Sequence, residues 1–240
     1  MTVSEPSAPL TTPGEAPRAD DLHAAATIDY RSELVRKAIH LCSLSIPVIY
    51  SFITKDLALM LLVPVTAAFL IVDTARLYYP PVSRMFYRVF GWLLRRHEQD
   101  ENAKRFNGAT IVLLSAVLSV IVFPKLITVT AFAILIISDS TSALIGRRYG
   151  KRRFLRKSLA GATAFFLSAV VVVLVSPKAE GNVWEYAIGI VAAAVGAVVE
   201  SGSTIDDNFS IPVSIGIMMW ILYAVFLPGL DLSGPVPVLR

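Results

Sequence analysis

Cysteine is nearly missing from these 240 residues: Cys42 stands alone, inside an apolar stretch. That excludes an intrachain disulfide and any cysteine-rich metal framework. Charge is also scarce, at 17% of residues, where a water-soluble domain carries about a quarter. With so few polar groups the chain cannot cover the surface of a soluble domain. Three familiar catalytic signatures are missing too. There is no H-E-x-x-H, no G-x-S-x-G and no P-loop, because Gly146 stands one residue too close to Gly150 and Arg152 occupies the Ser/Thr position. Residues 1–21 mix Pro, Ser, Thr and acids around no apolar core and do not read as a signal peptide. Residues 1–27 are expected to be a disordered cytoplasmic tail.

What is abundant is apolar: 55% of the residues, with a mean hydropathy of +0.65. These residues lie in blocks long enough for transmembrane helices, which need about 17–25 residues each. The expected fold is an all-α integral membrane protein with about seven transmembrane helices, roughly 38–54, 57–78, 107–124, 126–146, 158–176, 184–200 and 209–228. Between the second and third, Met85, Phe86, Val89, Phe90, Trp92 and Leu93 alternate with Arg84, Arg88, Arg95 and Arg96. That pattern over 81–97 predicts one amphipathic interfacial helix on an anionic membrane surface.

The net charge of +4 and the pI near 9.3 would suggest nucleic acid in a soluble protein. Here the basic residues lie between apolar blocks, so membrane topology explains them better and no nucleic-acid partner is expected. Four Lys and Arg precede or open the first span, seven follow the second and seven follow the fourth. The alternate connections carry Lys55, Lys125 and Lys178, one each, and Arg240 lies at the end. By the positive-inside rule the N-terminus is cytoplasmic and the C-terminus outside. The expected division is a tail (1–27), a polytopic membrane domain (28–230) and a short external tail (231–240).

In this topology the unusual polar residues collect at the cytoplasmic membrane boundary. They are His40, Asp73, Asn107, Asp139, Lys157, Ser158, Glu200, Asp206, Asp207 and Asn208. A transporter keeps such groups near the bilayer midplane, whereas a one-sided cluster suits chemistry between a cytosolic reactant and a lipid-borne one. Plain structural roles compete with this. Glu33 and Lys37 are spaced as a helix ion pair, Asp73 is placed to pair with Arg76, and the basic run 147–157 is also a topology signal. Asp139 is harder to assign to structure alone, since an ionisable residue within a span is costly. Glu200, Asp206 and Asp207 lie in a segment without Lys or Arg, and such hard oxygen ligands favour Mg²⁺.

In order along the chain stand Glu33-x-x-Arg36-Lys37-x-x-His40, Arg105-Phe106-Asn107-Gly108-Ala109-Thr110, and Ser138-Asp139-Ser140-x-x-Ala143-x-x-Gly146-x-x-x-Gly150-Lys151. Lys157-Ser158-x-x-Gly161 and Glu200…Ile205-Asp206-Asp207-Asn208-x-x-Ile211-Pro212 follow. This series resembles the CTP-dependent lipid-alcohol kinases: dolichol kinase, phytol kinase and CTP-dependent diacylglycerol kinase. The resemblance covers about 33–215. It implies a membrane enzyme that moves the γ-phosphate of CTP to the hydroxyl of a lipid alcohol, with Mg²⁺. Two positions depart from the family pattern: Ser138 stands where the family usually has Gly, and Ala160 where it commonly has Glu. The second exchange puts in doubt whatever the Glu does in the family.

The residues supply parts for phosphoryl transfer, which rests on positioning and charge neutralisation. Asp139, Glu200, Asp206 and Asp207 are the expected metal set. Arg36, Lys37, Arg147, Arg148 and Lys157 are expected to face the triphosphate, with Ser158 and Gly161 beside it. Gly146 and Gly150 would admit a phosphate close to the backbone, and Asn107 and Asn208 would meet the cytosine or ribose. Asp139 or His40 would take the lipid hydroxyl proton. Two rivals stand beside the kinase reading. One is a CTP:phosphatidate cytidylyltransferase, whose expected C-terminal Gly, His and Asp cluster is missing. The other is a non-catalytic transporter or assembly protein on the same scaffold. The expected location is a bacterial or archaeal cytoplasmic membrane.

Overall fold

The computed structural model describes residues 35, 37–90 and 106–232. The expectations for the tail 1–27, for Glu33, Arg36 and Arg105, for positions 91–97 of the amphipathic helix and for 233–240 fall outside these residues. Eight helices and one small hairpin are described: α1 (Ser45–Phe52), α2 (Lys55–Tyr78), α3 (Pro80–Phe90), α4 (Gly108–Val122), α5 (Lys125–Tyr149), β1 (Arg153–Phe154), β2 (Lys157–Ser158), α6 (Leu159–Val175), α7 (Val183–Gly202) and α8 (Asp207–Phe226). The two-residue antiparallel pairing of β1 with β2 adds to the all-α expectation.

The chain is an integral membrane protein by its helices. Lys55–Tyr78, Lys125–Tyr149, Val183–Gly202 and Asp207–Phe226 are long and apolar enough to cross a bilayer. Lys37–Phe52, Gly108–Val122 and Leu159–Val175 are shorter apolar helices. The first of these tightens at Ser43 and Leu44, whose N–H groups donate three residues back, to His40 and Leu41. Large apolar side chains such as Met60, Ile71 and Val175 point outward from the bundle, where a soluble fold would place polar ones.

α5 is the axis of the bundle. Ile127, Ala131, Phe132, Ile134, Leu135 and Ile136 are fully buried on it, among Phe165 of α6, Ala192 and Ala193 of α7 and Ile211 and Ile215 of α8. With no hydrophobic drive between helices in lipid, such packing depends on small residues that let backbones approach. Gly189 does this for α6 and α7, since a Cβ there would come within 2.5 Å of Val173. Gly196 does it for α7 and α8, where a Cβ would lie 2.8 Å from Ile215.

Helix ends are closed by side chains. Thr54 caps α2, Asn107 α4, Ser158 α6, Asn182 α7 and Asp206 α8. The amphipathic α3 is tied to the end of α2 through Arg76. That guanidinium pairs with Asp73 at 2.7 Å and lies 4.9 Å from the centre of the Phe86 ring, so Asp73 and Arg76 pair as their spacing suggests.

The connection between α6 and α7 is organised by Glu185, which is 1% exposed. Its carboxylate accepts from the backbone N–H groups of Ala179, Glu180, Gly181 and Asn182 and from the Tyr223 hydroxyl of α8. The turn needs Gly181 at φ +77°, a conformation other residues rarely adopt. Glu185→Ala removes the acceptor for these donors and is expected to destabilise the fold by about 2–4 kcal/mol. Glu180→Ala at the exposed neighbour should change little. Thermal unfolding in detergent of both variants decides it: equal midpoints would contradict this role.

Candidate functional site

Two acid–lysine pairs lie at the membrane boundary where α5 ends and α6 and α8 begin. The first joins α5 to the chain ahead of α1: Lys37 Nζ donates to Asp139 Oδ2 at 2.5 Å, across 102 residues of sequence. His40 Nε2 lies 3.9 Å from the same oxygen, and the His40 and Asp139 side chains are each 13% exposed. Lys37 and His40 stand three residues apart on one helical face, so both reach Asp139 together.

The second pair is formed by the hairpin. Lys157 Nζ donates to Glu200 Oε1 at 2.7 Å and to Asp207 Oδ2 at 2.9 Å. Glu200, 2% exposed, also accepts from Ser142 Oγ of α5 at 2.8 Å and from Ser201 Oγ at 3.1 Å. Leu155, at φ 52°, turns the hairpin, and the Arg156 N–H donates to the Ser201 carbonyl, which pins it over the end of α7. Burial alone would lower the Lys157 ammonium, but Asp207 and Glu200 outweigh it and hold it above the ordinary lysine value of 10.5. Ser142, which donates to Glu200, stands three residues from Asp139 on one face of α5, and this joins the two pairs in one cluster.

The glycines around this cluster serve close packing. A Cβ on Gly146 would lie 3.0 Å from Ser158 Oγ, and one on Gly150 would come within 2.7 Å of the same atom. A Cβ on Gly161 would sit 3.2 Å from Ser142 Oγ. The space these glycines leave is thus taken by Ser158 and its neighbours, which hold the end of α5 against the start of α6. Ser158 Oγ itself accepts from the Gly161 N–H as the cap of α6.

Other expected residues lie nearby with separate duties. Asn107 caps α4 with its side chain, and its N–H donates to Asp73 Oδ2 at 2.6 Å. A Cβ on Gly108 would be 3.4 Å from Asn208 Nδ2, so the two asparagine segments are neighbours. Pro212, inside α8, lacks the N–H that the Asn208 carbonyl would otherwise receive four residues on. Arg147 and Arg148 are exposed in the last turn of α5. Arg36 lies outside the described residues.

The residues of the expected Mg²⁺ set are bonded to other groups in this structure. Among the described residues no group of three or more His, Cys, Asp and Glu side chains is placed to hold a metal ion. The reason lies in the donors: Asp139 is paired by Lys37, and Lys157 stands as the cation between Glu200 and Asp207. Asp206 turns its carboxylate to the Asn208 N–H at the start of α8. Two contributors were missed from sequence, Ser142 and Ser201. Ser142 follows Asp139 by three residues on α5, a spacing that puts both on one face, and that was the available signal.

No protein-family model matches the chain, and no solved structure matches it. The uncharacterized protein RP860 of Rickettsia prowazekii is 30% identical over 191 residues, covering 78% of this chain and 93% of that protein. The CTP-dependent diacylglycerol kinase 1 of Schizosaccharomyces pombe is 28% identical over 162 residues, covering 61% of this chain and 72% of that protein. The CTP-dependent diacylglycerol kinase 1 of Saccharomyces cerevisiae is 32% identical over 99 residues, 40% of this chain and 33% of that enzyme. This distant similarity supports a lipid kinase reading.

Lys157→Met leaves the buried Glu200 without its cation and is expected to cost about 1–3 kcal/mol, less than for a fully enclosed pair because the Lys157 side chain is 37% exposed. Adding Glu200→Gln to that variant should recover most of the loss, and additive effects in the double-mutant cycle would contradict the pairing. The pH dependence has a definite sign. A lysine raised on folding contributes fully below its ordinary value and loses that contribution as pH rises through the higher folded value. The Lys157 contribution should therefore be flat from about pH 6 to about pH 9 and fall only above about pH 10.5. Thermal unfolding of parent and Lys157→Met across pH reads the difference.

Proposed function

Because the chain belongs to one family with RP860 of Rickettsia prowazekii, and is similar at lower identity or coverage to two CTP-dependent diacylglycerol kinases, we propose that it is a membrane-embedded kinase that transfers the γ-phosphate of CTP to a lipid alcohol. The proposal includes seven spans with the N-terminus in the cytoplasm, the three shorter apolar helices completing the count. The reaction then takes place at the cytoplasmic face of a bacterial or archaeal cytoplasmic membrane. The acceptor is a polyprenol-, phytol- or diacylglycerol-like alcohol. The observation that carries the reading is the meeting of four separate sequence segments, at Lys37–His40, Asp139–Ser142, Lys157 and Glu200–Asp207, in one cluster at a membrane boundary.

The chemistry joins a water-soluble triphosphate to a hydroxyl that cannot leave the bilayer. The lipid oxygen forms a bond to the γ-phosphorus while the bond from that phosphorus to the bridging oxygen breaks, releasing CDP. The hydroxyl proton passes to Asp139 or to His40 beside it. Because the transition state for phosphoryl transfer is loose, holding the hydroxyl in line counts for more than a strong base. Asp139, fixed between Lys37 and His40, is suited to accept a hydrogen bond from that hydroxyl. Lys157, whose side chain is 37% exposed, is the half-open cation that meets the phosphates, with Arg147 and Arg148 at the rim. Mg²⁺ is proposed to arrive with the nucleotide as part of the MgCTP substrate.

Purified protein in lipid, given CTP labelled separately at α and γ, tests the reading. Label from γ alone in the lipid is the expected result; label from α would make the protein a cytidylyltransferase, and no transfer with any nucleotide would sink the kinase proposal. Asp139→Asn should lower transfer by about 10²–10⁴-fold with the fold retained. Full activity in that variant would remove Asp139 from the site.

A further inference from the structure

At the opposite end of the bundle, two of the few lysines outside the basic loops come together. Lys55 opens α2 and Lys125 opens α5, and the two loops leading into them are stapled to each other. Lys55 Nζ donates to the Ile121 carbonyl and Lys125 Nζ to the Ile53 carbonyl, both at 2.8 Å. Lys125 and Asp139 are fourteen residues apart on α5, which is about 21 Å of helix rise. This end therefore lies at the other membrane boundary and shares nothing with the acid–lysine cluster.

Between these loops and α8 is a cavity of about 600 Å³. Its wall includes Tyr50, Lys55, Phe123, Pro124, Lys125 and Trp220. Tyr50 is 2% exposed, and its hydroxyl has no hydrogen-bond partner. A buried hydroxyl left unpaired costs free energy that a ligand oxygen would recover. Each ammonium carries three protons and donates one hydrogen bond, so both lysines retain donors. Lys125 Nζ also stands 5.6 Å from the centre of the Tyr50 ring. The start of α5 adds to this. Its cap is Pro124, which offers no side-chain acceptor to the first N–H groups of the helix.

Two ammonium groups, an uncapped helix start and an unpaired hydroxyl around one cavity match an anion with several acceptor oxygens. We infer that this cavity binds a phosphate group, as the headgroup phosphate of an anionic phospholipid in the leaflet opposite the candidate kinase site or as free phosphate. Phe123 and Trp220, packed edge to face with ring centroids 5.9 Å apart, give the cavity an apolar wall suited to the glycerol and upper acyl chain of a lipid. Aromatic side chains of this kind belong at headgroup depth. The inference does not depend on the kinase reading.

The test uses the full chain purified in detergent and charged with phosphatidylglycerol or phosphatidylcholine, with retained lipid counted by native mass spectrometry. The parent should retain phosphatidylglycerol preferentially. Lys125→Gln should weaken retention by roughly tenfold or more and Tyr50→Phe by roughly threefold. Tyr50→Phe leaves the lysine staples intact, so its effect cannot be laid to unfolding, and its unfolding midpoint without ligand should match the parent. A second arm measures the rise in that midpoint with inorganic phosphate. A rise in the parent that both variants lose, without lipid retention, would support the site with free phosphate as its ligand. If neither probe binds the parent, or both variants bind as the parent does, the inference is overturned.

Discussion

A carboxylate inside an apolar bundle must have a cation or several hydrogen-bond donors beside it, and much of this structure follows from meeting that need with lysines at Asp139 and Glu200. Leaving either charge unpaired in low-dielectric surroundings costs several kcal/mol, a large part of the roughly 5–15 kcal/mol that holds an ordinary fold. The cations come from distant parts of the chain. Lys37 draws the segment ahead of α1 onto α5, and Lys157 requires the hairpin to fold back over the ends of α7 and α8. The positive φ at Leu155 and the bond from Arg156 to Ser201 make sense as means to this end. Their function is to hold one ammonium group between two carboxylates.

The same cluster sets the limits on packing nearby. For Lys157 and Ser142 to reach Glu200 together, the end of α5 and the start of α6 must come close, and Gly146, Gly150 and Gly161 leave the room. Further along, Gly189 and Gly196 let α6, α7 and α8 keep that spacing through the bundle. The two ends of the molecule then differ in kind. One gathers lysines paired with acids; the other, around Lys55 and Lys125, has lysines bonded to carbonyls and beside aromatic rings.

Much of the fold was legible in the sequence because a bilayer imposes strong constraints. Uncharged runs such as 108–123 and 159–175 can hardly be anything but apolar helices, and the helices found lie close to the spans expected. Local pairings were legible too: Asp73 and Arg76 lie three residues apart and do pair. Asp139 stood out by itself, as an ionisable group within an apolar run. Its partner did not. Lys37 suggested an ion pair with Glu33 by spacing, and nothing in one sequence ties it to a residue 102 positions away. The role of Glu185 stayed hidden for a similar reason, since a carboxylate after Asn182 gives no sign that its loop will fold back upon it. Which cation each carboxylate of the expected metal set would face was also not legible, because the lysines that reach them come from distant segments. Asp206 and Asp207 are adjacent, yet one caps a helix while the other faces Lys157.

Ala160 remains the sharpest departure from the kinase pattern, and the arrangement around Lys157 bears on it. An acid at that position would lie in the first turn of α6, three residues past Lys157, close to where Glu200 and Asp207 already supply two carboxylates from other helices. Were its task to fix the lysine, the chain would lose little by replacing it. Were its task to bind a metal, a third carboxylate would alter the balance between acids and ammonium groups in the cluster. With alanine the cluster keeps three carboxylates, Asp139, Glu200 and Asp207, facing the ammonium groups of Lys37 and Lys157. A site near charge balance receives a triphosphate more readily than one with a further negative charge, because fewer like charges must be overcome as the phosphates approach. On that argument Ala160 is compatible with the proposed kinase site, to which magnesium would come with the nucleotide.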